Sequence, residues 1–122
     1  MEYLIIGLGG VLGANARYLV AGWATRRLGL VFPYGTFLIN LSGSFILGLF
    51  TAVMLKHPTS HYPRLFFAVG FLGAYTTFST FSLESLQLLQ NGRVGLAFIY
   101  VMSSAALGVS GAWFGFNLGR GY

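Results

Sequence analysis

Cysteine is missing altogether, and of the 122 residues only Glu2 and Glu84 carry a carboxylate. The first absence excludes disulfides, thiolate catalysis and thiolate metal sites, although it does not fix the compartment. The second leaves no paired carboxylates, and no serine-histidine-aspartate set is suggested. No catalytic constellation is present, so the chain is read as not an enzyme. Charge of either sign is scarce, at 7% of residues against 56% hydrophobic. That is too little to cover the surface of a soluble domain of this length. The arginines behind the formal net charge of +5 sit mostly at segment ends, where they fit headgroup contact better than nucleic-acid binding.

What is present is hydrocarbon, in four stretches at 3–24, 34–55, 63–89 and 94–118, each close to the roughly 20 residues a helical crossing needs. The chain reads as an all-α, multi-pass membrane protein with one four-helix domain over 1–122. Short connections at 25–33, 56–62 and 90–93 leave no room for a soluble domain. The sequence begins Met1-Glu2 and runs straight into apolar residues, without the basic leader of a signal peptide, so the first segment is read as a retained span.

Orientation is poorly specified. The side bearing both termini and the second loop carries Lys56, Arg64 and Arg120, while the other side carries Arg26, Arg27 and Arg93. Three against three gives the positive-inside rule almost no preference. Such a chain can insert both ways, allowing two copies to pair head to tail; alternatively Arg17 or insertion kinetics supply the bias.

Small residues recur at helical spacing. Gly9 and Gly13, beside Gly10 and Ala14, mark the first span, and Gly108, Ala112, Gly115 and Gly119 the fourth. Such stripes let backbones approach, whether between two copies or only among the helices of one subunit. On the second span Thr36, Asn40, Ser44 and Gly48 share one face. Asn40 offers two N–H donors and an acceptor at a depth where an unsatisfied amide is costly; it can glue helices or line a polar path. Tyr100 and Ser104, with Ser103 and Ser110 on a neighbouring face, extend hydroxyls along the fourth span. Arg17 lies inside the first stretch, where a guanidinium faces protein, carbonyls or water unless it snorkels to the interface. Glu84 fits a salt bridge or interfacial anchor. His57 and His61 flank Pro58 in the second loop, which disfavours a helical ligand pair, so both read as solvated.

The third stretch is interrupted by Gly73-Ala74-Tyr75-Thr76-Thr77-Phe78-Ser79-Thr80-Phe81-Ser82. Polar, weakly helical backbone survives at mid-bilayer only where it is buried or lines a wet cavity. As one straight helix the stretch would be roughly 40 Å long, more than the ~30 Å hydrocarbon core, and a break relieves the mismatch. Carbonyls left over there form a hard-oxygen site suited to a small cation. Phe78 and Phe81, three apart, present ring edges of partial positive charge that can line an anion path; on spacing alone, core packing is the commoner role.

Two runs carry a resemblance. Gly35-Thr36 with Asn40-Leu41-Ser42-Gly43-Ser44-Phe45, and Gly73 with Thr76-Thr77-Phe78-Ser79-Thr80-Phe81-Ser82 and Glu84, resemble the signature of the bacterial CrcB/Fluc fluoride channels. Gly13-Ala14 and Arg17-Tyr18 match as well, so the likeness spans all four crossings. The resemblance implies an antiparallel, dual-topology homodimer in the bacterial inner membrane, with two pores, a broken third helix and a structural sodium ion at the centre of the interface. Phe78 and Phe81 would contact fluoride through ring edges, and Asn40 through its amide. Thr36, Tyr100 and Ser104 would belong to the pore's polar lining. Carbonyls of Gly73 and Thr76, with equivalents from the second copy, would hold the sodium, and Arg17 and Glu84 would sit near the pore entrance. Gly108 departs from members that carry a hydroxyl there, which leaves the extent of the track, and the part of Ser110 in it, open.

The implied activity is passive export of fluoride from the cytoplasm down its electrochemical gradient. The alternative is a dual-topology small multidrug exporter, whose proton coupling needs an intramembrane carboxylate that the first span, with Glu2 at its extreme end, does not supply. A non-transporting assembly factor would need only the small-residue stripes.

Overall fold

The computed structural model describes residues 1–58 and 60–121; Thr59 and Tyr122 lie outside it. Among these residues four helical spans are long and apolar enough to cross a membrane. Helix α1 covers Glu2–Leu28, with Glu2 in its first turn and Arg26 and Arg27 in its last, both favourable to the helix dipole. It stops at Gly29, whose φ of 88° suits glycine and whose N–H reaches back to the Thr25 carbonyl. Helix α2 covers Tyr34–Lys56 directly after Pro33. The third span begins as a π-helical segment, Arg64–Leu72, runs into the single turn α3 (Gly73–Tyr75), and resumes as α4 (Ser79–Gln90). A turn through Gly92, φ 77°, leads into α5, Val94–Gly121.

Lipid is as apolar as leucine, so these helices associate through close backbone contact rather than through hydrophobic burial. Gly9 lies beneath the Phe66 carbonyl and Gly13 beneath that of Phe71, where any Cβ would collide with backbone. Gly70 answers from the third span against Ile6 and Gly9. The seam between α2 and α5 is built alike, with Gly48 on the Ala112 carbonyl, Gly115 on that of Phe45, and Gly119 against Leu49 and Ala52. The glycine stripes on α1 and α5 are thus used within one chain.

Two apolar clusters flank the middle of the third span. Ile39, Leu72 and Tyr75 form one, and Leu88, Ala97 and Tyr100 the other, with Phe81, Phe32 and Phe37 packed on it. Large apolar side chains elsewhere on α1 and α5 point outward, as lipid contact allows. Glu2 and His61 lie 3.3 Å apart, so the start of α1 and the second loop share an end of the bundle. Both histidines are exposed, and no group of three metal-capable side chains occurs among the described residues.

Candidate functional site

Thr76 ends α3 with an extended ψ of 159°, and helix does not resume until Ser79. Backbone groups that a continuous helix would pair internally lose those partners there, and side chains from two neighbouring helices take up some of them. The Asn40 amide on α2 pairs in both directions with Thr77: its Nδ2 donates to the Thr77 carbonyl at 2.9 Å, and the Thr77 N–H donates to Oδ1 at 2.9 Å. Arg17 does not snorkel; from α1 its Nε donates to the Ala74 carbonyl at 3.0 Å. The Thr76 hydroxyl turns back onto the Leu72 carbonyl, and the Thr77 hydroxyl accepts the Thr80 N–H at 3.3 Å, starting α4.

Space for this bend comes from Gly43, which lies under the Thr76 methyl with no room for a Cβ. Beside it the Ser42 and Tyr75 hydroxyls lie 3.0 Å apart, and Tyr75 ends a column of stacked rings, Phe67, Phe71 and Tyr75.

A cavity of about 630 Å³ opens at the interruption, and Asn40, Gly73, Thr76, Phe78, Phe81 and Ser104 all line it. Six of the residues expected at the site are thus brought together from α2, α5 and the third span. Ser44 joins them, whereas Gly48, on the same α2 face, is spent on packing. The Ser104 Oγ is buried without a hydrogen-bond partner, a state that costs free energy unless a ligand or water completes it. Phe78 and Phe81 differ in surroundings: their centroids are 6.0 Å apart, but Phe78 is 79% exposed on this chain.

Thr36, Glu84, Tyr100 and Arg17 do not line that cavity. Thr36 and Glu84 belong to a second one of about 450 Å³, together with Gln87, Asn91 and Arg93 near the bundle end. Tyr100, wholly buried, stands between the two: its ring packs on Phe81 at 5.0 Å and its hydroxyl donates to Glu84 at 2.9 Å. Buried Thr36 sits against the same phenol. The Ser103 hydroxyl is spent on the Ile99 carbonyl, and Ser110 is exposed.

Sequence reasoning assigned nothing to Gly43, Ser42 or Tyr75. Ser42 and Gly43 stand inside the run that begins at Asn40, and Tyr75 inside the interruption at 73–82, which is the only signal they give; the Ser42 and Tyr75 pairing spans residues too far apart in the chain for spacing to announce it.

Chemically the arrangement offers amide and hydroxyl donors, aromatic edges and hard carbonyl oxygens, without a full positive charge on the cavity wall. A family profile described as CrcB-like protein, Camphor Resistance (CrcB), matches residues 4–116. A fluoride-specific ion channel FluC of Acidobacterium capsulatum is 50% identical over 121 residues, covering 98% of this chain and 97% of that protein. Those of Rhodopseudomonas palustris and Thermus thermophilus are 46% and 45% identical, each over more than nine-tenths of both chains.

Proposed function

The chain belongs to the CrcB-like family, and from that premise we propose that it is a fluoride-selective channel that lets fluoride leave the cytoplasm passively, down its electrochemical gradient. The observation that carries this reading is the cavity at Thr76–Phe78, where Asn40, Phe78, Phe81 and the partnerless Ser104 hydroxyl converge. A dehydrating anion there meets the Ser104 O–H, the Asn40 amide proton not used by Thr77, and ring edges. Each contact is weak enough to release it, as conduction requires. Past Phe81 the path continues to Tyr100, Thr36 and Glu84 toward the second cavity, with Arg93 at its mouth.

In this reading the third span works as a broken helix, and the unit is an antiparallel, dual-topology homodimer in the inner membrane of a bacterium. Support comes from the cavity, whose lining residue Phe78 is largely exposed on a single chain, and from the even distribution of basic residues between the two sides. A sodium ion at the centre fits hard oxygen donors; Gly73 and Thr76, which line the cavity, would hold it through their carbonyls with the same atoms of the second copy. When bound, it supplies a fixed positive charge that offsets converging carbonyl dipoles.

A proton-coupled exporter is less well served, because Glu84, the only carboxylate along the later spans, is engaged by the Tyr100 hydroxyl. Fluoride efflux from reconstituted liposomes, followed by electrode with chloride as control and a proton gradient as second variable, tests the proposal. Rapid fluoride loss without chloride loss, indifferent to the proton gradient, is expected. Folded protein in vesicles that retain fluoride contradicts it.

A further inference from the structure

In a continuous α-helix the Gly73 carbonyl accepts from the N–H of residue 77, and the Thr76 carbonyl from that of residue 80. Here both donors are diverted: the Thr77 N–H goes to Asn40 Oδ1 at 2.9 Å, and the Thr80 N–H to the Thr77 hydroxyl at 3.3 Å. No turn or cap bond among the described residues ends on either oxygen. Between them, the Ala74 carbonyl is satisfied by Arg17. Gly73 and Thr76 line the cavity, whereas Ala74 and Tyr75, between them, do not.

We infer that Asn40 and the Thr77 hydroxyl are positioning residues for the cation site: by capturing two backbone N–H groups they keep the Gly73 and Thr76 carbonyls free, while Arg17 occupies that of Ala74. This rests on the sodium reading above. It also gives Asn40 a second task, since one amide faces the anion path while holding the backbone that presents oxygens to the cation. The two ion sites are therefore coupled through a single side chain.

Variants that return the donors test this. Thr77→Val removes the hydroxyl while keeping the side chain's shape, freeing the Thr80 N–H for Thr76; Asn40→Leu frees the Thr77 N–H for Gly73. The readout is the gain in melting temperature of the purified protein when N-methylglucamine chloride is replaced by sodium chloride. A ligand that binds only folded protein raises that temperature, here by a few degrees. The native protein is expected to show the gain, and each variant to lose most of it. A merely structural defect would lower the melting temperature equally in both salts and leave the gain intact. Should Asn40→Leu fail to fold, Thr77→Val decides alone. A full sodium gain in the folded variants overturns the inference, as does its absence from the native protein. Fluoride efflux measured on the same native preparation judges the channel reading separately, because it does not depend on the sodium gain.

Discussion

The two halves of the third span are held in different proportions by backbone contact and by polar groups. Before Thr76, the chain lies against α1 with glycine under carbonyl, at Gly9 and Gly13, and its rings stack on one another from Phe67 to Tyr75. After Thr76 the ties to neighbouring helices include polar ones, Thr77 to Asn40 and Glu84 to Tyr100, beside the ring contact of Phe81 with Tyr100. Backbone contact needs no donors and tolerates no extra atom, which suits an anchor. A helix held by side-chain hydrogen bonds leaves neighbouring donors and oxygens unspent, which suits a place where ions dehydrate. The division teaches that one crossing can be scaffold in its first half and site in its second, with the segment 73–76, whose Gly73 and Thr76 already line the cavity, as the boundary.

Substitutions on the two sides of that boundary should therefore fail differently. The largest effect is expected from Gly13→Leu, which drives a side chain into the Phe71 backbone; backbone cannot yield as a side-chain tip can, so the protein should not accumulate as a monodisperse peak in size-exclusion chromatography. If it does, the first half is not the anchor. Next come Phe81→Ile and Phe78→Ile, expected to slow fluoride efflux by roughly tenfold or more, equivalent to at least ~1.4 kcal/mol on the barrier, while assembly remains intact. Unchanged efflux in both would remove the second half from the path. Tyr100→Phe should slow efflux less, because it deletes one hydrogen bond to Glu84 and keeps the ring against Phe81; the lost bond to a carboxylate bears on stability, by about 1.5–3 kcal/mol. A fall of a few degrees in melting temperature, with slower efflux, would show that Glu84 depends on that contact. Least is expected of His61→Gln. The pair with Glu2 is more than half exposed on both sides, and such contacts contribute little, so neither efflux nor melting temperature should move measurably.

Much of this division is legible in the residues themselves. Four apolar helices follow from hydropathy, and the hydroxyl-rich run at 73–82 marks a place where lipid-facing helix is disfavoured, since consecutive threonines and nearby glycines favour other backbone partners. Asn40 and Ser104 stand out because polar groups at that depth need a reason. The partners do not stand out. Asn40 meets Thr77 across 37 residues, and nothing in spacing tells whether its amide faces an ion, a helix or a loop of backbone. The π-helical winding of Arg64–Leu72 is equally silent, since its side chains read as ordinary apolar helix. Arg17 illustrates the limit from another side: its depth leaves a buried partner and snorkelling both open, and only the folded chain singles out the Ala74 carbonyl.

Fluoride-electrode efflux from vesicles carrying the native protein, run beside the same lipids carrying Phe81→Ile, tests the central claim most directly. Fast, chloride-sparing loss from the first and near-background loss from the second is the predicted result. Equal rates from both, with each protein verified as folded, would contradict the assignment of the path to the cavity at Thr76–Phe78.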